Sequence, residues 1–184
     1  MILRITLIFL IFFNIISLKA QIENVIWQNC LGVEEGKNWI YTVEKSENGY
    51  FFGINIRRDG PGVTNYHGKS DVWIVNTDHS GNIIWEKCFG GSEGDGSHKI
   101  IKIDENTYYL LNFSESSDGD VQNGRAGDIW IVKIDSEGNI LWEKSYGGCI
   151  LGEEVRDAML MPDHGMICMG RISSTGGDIS THYG

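Results

Sequence analysis

Five aspartates stand in glycine-rich stretches between apolar runs, where their carboxylates could bind a cation or another ligand. They are Asp59, Asp95, Asp118, Asp120 and Asp178. Calcium takes six to eight oxygen ligands, whereas the closest pair, in Asp118-Gly119-Asp120, supplies two carboxylates and the full EF-hand pattern does not occur. Aspartate and glycine also form turns, because the carboxylate bonds nearby amides. The sequence thus leaves two interpretations, a ligand or calcium site and a set of structural turns.

No motif in the sequence indicates a catalytic residue. The patterns G-x-S-x-G, H-E-x-x-H and the phosphate-binding P-loop do not occur. The histidines show no triad spacing, although a triad is recognised by its geometry in space rather than by sequence distance. They are His67, His79, His98, His164 and His182. We therefore assign no catalytic residue from the sequence.

The unit that must position the acidic stretches is a strand–turn–strand segment that occurs at 71–87 and again at 127–144. Asp71 and Asp128 are 57 residues apart, as are Trp85 and Trp142, and Trp27 precedes Trp85 by 58. A fixed period of this size indicates an array of one supersecondary unit.

Each period contains four apolar runs of strand length that are rich in β-branched and aromatic residues. The first and second runs of successive periods are 38–43 and 50–54, 98–103 and 108–113, and 156–161 and 166–170; the third and fourth form the repeated segment. Short glycine-containing links join the first run to the second and the third to the fourth, as in β-hairpins. The other links are long and hold the acidic residues. This pattern predicts four-stranded antiparallel blades of a β-propeller, with all long loops on one side.

The mature chain begins with a fourth run alone, around Trp27, and its last residues, 181–184, match 65–68. We therefore expect residues 21–184 to form an incomplete propeller: a lone outer strand, two blades and an incomplete third. Four blades are the usual minimum for closure, which predicts that the chain is the N-terminal part of a larger protein. The open blade edges predict association between copies.

Residues 1–20 have the pattern of a secretory signal peptide, with Arg4 before an apolar stretch and Lys19-Ala20 at its end. The apolar stretch is shorter than the about 20 residues of a membrane span, although an uncleaved anchor is the alternative. Cleavage predicts a secreted or cell-surface protein without a stable membrane span. It also removes two cations and changes the formal charge from −10 to −12, which disfavours binding to nucleic acid.

Four cysteines have spacings that match no zinc motif: Cys30, Cys88, Cys149 and Cys168. Export permits disulfides, and four cysteines allow three pairings. Cys30 and Cys88 are equivalent in the repeat, but the third copy has Ser145 there. This substitution favours free thiols, while the pairing stays open.

The repeat resembles a known group of proteins. The segments Trp85–Gly91 and Trp142–Gly148 read W-E-K-x-F/Y-G-G, residues 117–120 read S-D-G-D, and residues 128–140 read D-I-W-I-V-K-I-D-x-x-G-N-I. These motifs resemble the β-propeller repeats of large secreted bacterial proteins, many of which carry a C-terminal type IX secretion sorting domain that this sequence lacks. The first copy departs from the pattern at Gly32-Val33 and the third at Cys149. The resemblance implies a fold and a surface location but no defined activity.

The repeated aromatic and acidic residues have structural interpretations beside functional ones. Trp27, Trp85 and Trp142 could stack on sugars, but repeat spacing favours packing of one blade on the next. Trp73 and Trp130 are predicted in the core. Asp71 and Asp128 precede the third run in both copies, which favours hydrogen bonds to loop amides.

Two functional hypotheses follow from the sequence. The first is a secreted or cell-surface, non-catalytic module that binds a protein or a glycan through the long loops or acts as a scaffold, without a resident cofactor except calcium. The alternative is part of a secreted hydrolase or lyase that acts on glycans with acids from the same loops.

Overall fold

The computed structural model describes residues 27–33, 38–122, 124, 127–147, 154–171 and 176–178. The predicted signal peptide, 1–20, and Cys149 lie outside these residues. Ten strands and no helix form the described part, so none of it can cross a membrane as a long apolar helix. The strands are β1 Trp39–Lys45, β2 Gly49–Ile56, β3 Asp71–Asp78, β4 Ile83–Phe89, β5 Asp95–Lys102, β6 Thr107–Ser114, β7 Asp128–Asp135, β8 Ile140–Tyr146, β9 Glu154–Leu160 and β10 Met166–Arg171.

The strands form three antiparallel sheets in which neighbours in sequence are neighbours in space. Sheet I has the order β1-β2-β3-β4, sheet II has β5-β6-β7-β8, and sheet III contains β9 and β10. The predicted all-β class and the four-stranded antiparallel units are therefore confirmed. Residues 27–33, which include the predicted outer strand at Trp27, do not form a strand.

Alternation of side chains along the strands divides the core into layers. The largest layer lies between sheets I and II, where Phe51 and Ile74 of one sheet meet Tyr108 and Trp130 of the other. The opposite face of sheet I is covered in part by Leu31 and Val33 and by the β2–β3 loop. Sheet II packs against sheet III through a smaller layer around Leu111 and Val155.

Sheets I and II are joined by a tryptophan that packs on a glycine. Trp85 of β4 places its ring against Gly138 in the β7–β8 turn, where an added Cβ would lie 2.8 Å from the indole. The indole N–H donates to Ser136 O at 2.9 Å, and Lys87 Nζ donates to Gly138 O at 2.8 Å. This arrangement, the Trp–Gly joint, fixes the edge of one sheet on the hairpin turn of the next.

The same joint occurs one repeat earlier. The Trp27 ring lies against Gly81 in the β3–β4 turn, where an added Cβ would be 2.6 Å from the indole, and Asn29 Nδ2 donates to Gly81 O at 3.3 Å. Trp27 and Asn29 therefore replace Trp85 and Lys87 at sheet I. Residues 27–29 occupy the position that a fourth strand of a preceding sheet would supply.

The glycine turn is held open by an aspartate at its first position. Asp78 Oδ1 accepts the amides of Ser80 and Asn82 at 2.8 and 2.9 Å, and its Oδ2 accepts Asn82 Nδ2 at 2.8 Å. These hydrogen bonds, that of the Asn82 side chain foremost, lower the pKa of Asp78. Gly81 then takes a φ of 82°, which favours glycine. Asp135, Asn139 and Gly138, with a φ of 76°, repeat the turn in sheet II.

Gly138→Ala should destabilise the protein more than Gly62→Ala. Gly62 has a similar φ of 78° but open space around its Cα, so both substitutions share the cost of a left-handed alanine. Only the Cβ at residue 138 meets Trp85, and such overpacking costs about 1–3 kcal/mol. Urea unfolding at low protein concentration, followed by tryptophan fluorescence, measures the difference. Equal losses for the two variants would show that the Trp–Gly joint contributes nothing.

Candidate functional site

Three connections meet at the end of the sheets opposite the hairpin turns: the loops 57–70, 90–94 and 115–127. We call them together the long-loop surface. Main-chain bonds join them, because Asp95 N donates to Ser70 O at 2.7 Å, Glu115 N to Gly94 O at 2.9 Å, and Asp120 N to Gly90 O at 2.9 Å. The loops of sheets I and II therefore form one continuous surface rather than separate flexible links.

The Asp95 carboxylate holds this surface from below. It accepts the amide of Gly91 at 2.7 Å and the hydroxyls of Ser116 at 2.8 Å and Ser114 at 2.5 Å, and the residue is 2% exposed. The predicted loop position of Asp95 is wrong, since β5 begins at Asp95 and not at His98. The strand is longer because its partner β6 continues to Ser114, which pairs with Asp95. With three donors on two oxygens, Asp95 acts as a structural acceptor.

Asp118 and Asp120 also bond loop amides. Asp118 Oδ1 accepts Ser92 N at 2.8 Å, and this bond is the main reason that the pKa of Asp118 is lowered. Asp120 Oδ2 accepts Gly90 N at 3.2 Å. Both carboxylates thus tie the β6–β7 loop to the β4–β5 loop, which is the behaviour of turn-forming aspartates.

The other two candidate aspartates have more local surroundings. Asp59 is exposed and accepts the amide of the next residue, Gly60, at 2.8 Å. Asp178 N donates to Gly147 O at 3.1 Å, as Asp120 N does to Gly90 O one repeat earlier. Within the described ranges, no group of three or more histidine, cysteine, aspartate and glutamate side chains is arranged to hold a metal ion.

A histidine that the sequence did not single out lies between two carboxylates of the long-loop surface. His67 Nδ1 is 2.8 Å from Asp71 Oδ2, which also accepts the His67 amide at 2.9 Å. On its other side, His67 Nε2 is 3.8 Å from Asp120 Oδ2. His67 therefore connects the first residue of β3 with a loop of sheet II. The H-x-x-x-D spacing was the only sequence signal, and Gly124 stands at the equivalent position one repeat later.

Asp71 is completely buried, and one of its oxygens, Oδ1, makes no hydrogen bond. Burial raises the pKa of Asp71, while the hydrogen bonds from His67 act in the opposite direction. Asp128, the equivalent residue of sheet II, is also buried and lies against Gly147, where an added Cβ would be 2.0 Å from Asp128 Oδ1. The two repeated aspartates thus share a position but have different neighbours.

The repeated tryptophans lie within the sheets and between them. Trp73 and Trp130 are buried, and their indoles donate to Glu86 Oε2 at 2.6 Å and Glu143 Oε2 at 2.9 Å. The W-E-K motif thus supplies a glutamate partner that sequence reasoning missed. Trp142 packs on Tyr109 of its own sheet at 5.6 Å between ring centroids but remains 40% exposed.

Cys30, Cys88 and Cys168 are free thiols, while nothing is known of Cys149. Burial raises the pKa of the Cys88 thiol well above its usual range, and nearby carboxylates, Asp71 among them, act in the same direction. A thiol in this state is a poor nucleophile. Cys88 is therefore a core residue.

No protein-family model matches this sequence, and no curated protein matches it either.

Asp71→Asn and Asp118→Asn should change the pH dependence of stability in opposite directions. The raised pKa of Asp71 gives stability that is present below the ordinary aspartate pKa and is lost as pH rises through the raised value. Relative to the wild type, Asp71→Asn should therefore gain stability as pH rises from 3 to 7. The lowered pKa of Asp118 gives stability that is lost as pH falls through the lowered value, so Asp118→Asn should lose ground over the same rise.

Urea midpoints of both variants and the wild type at each pH measure these slopes. Each variant serves as the control for the other, since both remove one carboxylate from the same surface. Slopes of the same sign would contradict the assignment of Asp71 as the buried, destabilised carboxylate.

Proposed function

We propose that the chain forms part of a secreted or cell-surface β-propeller that binds a protein or a glycan through the long-loop surface and does not catalyse a reaction. The observation that carries the proposal is the repetition of one unit: two four-stranded antiparallel sheets, 57 residues apart, joined by the same Trp–Gly joint. Residues 1–20 support export, as described from the sequence.

The order of the sheets supports a propeller. The first strands are neighbours, since β1 contacts β5 and β5 contacts β9, as expected if they line a common axis. Apolar residues are exposed on the two outermost faces: Ile40 and Val43 on sheet I, and Ile167 and Met169 on sheet III. Each face is suited to a further sheet of the same kind. Continuation of the array in both directions would produce a closed ring.

The surroundings of the acidic residues favour binding over catalysis and over calcium. Asp95, Asp118 and Asp120 accept hydrogen bonds from loop amides or hydroxyls. They thereby make the long-loop surface rigid, which reduces the entropic cost of binding a partner. The formal charge of −12 after signal removal favours a neutral or basic partner.

The alternative, a hydrolase or lyase that acts on glycans, is favoured by one observation. His67 is held by the Asp71 carboxylate through Nδ1, as a general base is oriented in a catalytic triad. Its Nε2 points towards the Asp120 side of the surface and is partly accessible, with 26% of the side chain exposed. A reaction would therefore depend on His67.

The binding proposal predicts modest effects from single changes at the long-loop surface. On an array of immobilised polysaccharides and extracellular proteins, Asp118→Asn and Asp120→Asn should retain the wild-type pattern with affinity reduced by less than about tenfold, as expected for exposed carboxylates. Ser80→Ala, in the β3–β4 turn at the other end, should bind like the wild type.

The same proteins and His67→Gln are then incubated with dye-labelled polysaccharides. No release of dye is expected from any of them. Turnover by the wild type that falls by orders of magnitude in a folded His67→Gln would establish the enzyme and overturn the binding proposal.

The mature chain, residues 21–184, should associate through the exposed apolar faces. Val43→Lys and Met169→Lys should shift its sedimentation towards the monomer, because a charge on an apolar face opposes packing. Ser80→Lys adds the same charge at an exposed turn and should leave association unchanged. A monomeric wild type with a sharp, cooperative melt would contradict the incomplete propeller.

A further inference from the structure

A second candidate site lies at the hairpin end, opposite the long-loop surface. It is a cleft of about 250 Å³ between sheets I and II, which we call the hairpin cleft. Turn residues and strand residues of both sheets line it, so it exists only where the two sheets meet. The residues used below are Glu47, Phe51, Trp85, Glu105, Tyr108 and Glu137.

Three aromatic side chains form the inner part of the cleft. The Phe51 ring lies edge-on to Tyr108 at 4.5 Å and is tilted against Trp85 at 5.4 Å between centroids. The Trp85 indole is fixed by its bond to Ser136 O. Because the rings are tilted and not stacked, part of their π-surface borders the cleft. Aromatic faces of this kind attract organic cations.

Three glutamates surround the aromatic part. Glu47, Glu105 and Glu137 are exposed and come from three different hairpin turns, β1–β2, β5–β6 and β7–β8. Among the described residues that line the cleft there is no lysine or arginine. The nearest cation of the joint, Lys87, is already bonded to Gly138 O. The cleft therefore combines negative charge with aromatic walls.

The Tyr108 hydroxyl is an independent sign of a ligand. Tyr108 is completely buried, and its hydroxyl makes no hydrogen bond, although the main chain of Glu47 is near. A buried hydroxyl without a partner is unfavourable for folding. In the cleft it can accept a hydrogen bond from a ligand N–H group. Core packing alone would be served equally well by phenylalanine.

We propose that the hairpin cleft binds an organic cation with N–H donors, an alkylguanidinium or alkylammonium group. Its charge would be balanced by the glutamates, its N–H groups would bond the Tyr108 hydroxyl, and its alkyl part would lie among Phe51 and Trp85. Such a group could belong to a free small molecule or to a basic side chain of a peptide. The site is distinct from the long-loop surface and requires only sheets I and II.

The test follows the indole N–H resonance of Trp85 in ¹⁵N-labelled mature chain. Butylguanidinium should shift this resonance in a saturable manner, whereas butylurea, a neutral compound of the same shape, should not. Higher salt should weaken binding, because the glutamates are exposed. No shift with butylguanidinium, or equal shifts with both compounds, would overturn the proposal.

A capped Gly-Arg-Gly peptide separates the two sources of the cation. Binding as strong as that of butylguanidinium identifies an accessible cleft that takes a side chain. Failure of the peptide with retained butylguanidinium binding identifies a site for a free small molecule. Both results support cation binding at the cleft.

Substitutions locate the binding in the cleft. Glu105→Gln and Glu137→Gln should each weaken butylguanidinium binding by about fivefold, the scale of an exposed ion pair, while Glu115→Gln on the long-loop surface should not. Tyr108→Phe should weaken binding without lowering the urea midpoint. Unchanged affinity in all three cleft variants would overturn the proposal, and the exposed glutamate variants decide it even if Tyr108→Phe fails to fold.

Discussion

The fold depends on the close approach of a tryptophan ring to a glycine in the hairpin turn of the following sheet. Two requirements coincide at Gly138, since the turn needs a positive φ and the Trp85 ring leaves no room for a Cβ. A residue that met only one requirement would break the turn or separate the sheets. Because Trp27 and Gly81 repeat the contact, one local rule sets the spacing between successive units and lets the array extend.

Glycine-rich loops at the other end of the sheets have the opposite problem, an excess of main-chain donors. Without helices or ladders, loop amides need acceptors, and carboxylates supply them. Asp95, Asp118 and Asp120 accept bonds from Gly91, Ser92 and Gly90. Much of the acidity of these loops is therefore structural, and the same bonds make the long-loop surface rigid enough to serve as a binding platform.

The sequence predicted what depends on local patterns and missed what depends on contacts between sheets. Alternating apolar residues and the D-x-x-G-N turn fixed the strands of both complete sheets to within a few residues. Asp95 was misplaced because its strand is extended by pairing with β6. The β-bulges at residues 41, 98 and 156 leave no mark in the periodicity, yet recur in every first strand. His67 was missed because its second partner, Asp120, belongs to the next sheet.

Comparison of successive inter-sheet junctions shows why the hairpin cleft is more than a consequence of the repeat. Trp142 and Tyr109 repeat the aromatic pair of Trp85 and Phe51 between sheets II and III. There, however, Met166 stands in the place of Tyr108, and the adjoining cavity, of about 420 Å³, is mostly apolar. Packing can therefore be achieved without a hydroxyl at this position.

The glutamates of the hairpin cleft are likewise not needed for turn geometry, since the aspartates and glycines provide that. Glu137 gives its amide to Asp135, a bond that any residue other than proline could make. Hence the polar groups at the first junction are additions to a scaffold that is complete without them. Sequence reasoning placed function at the long loops because they vary and are acidic. Acidity there is largely consumed by amides, whereas the carboxylates of the short turns remain exposed around an aromatic cleft.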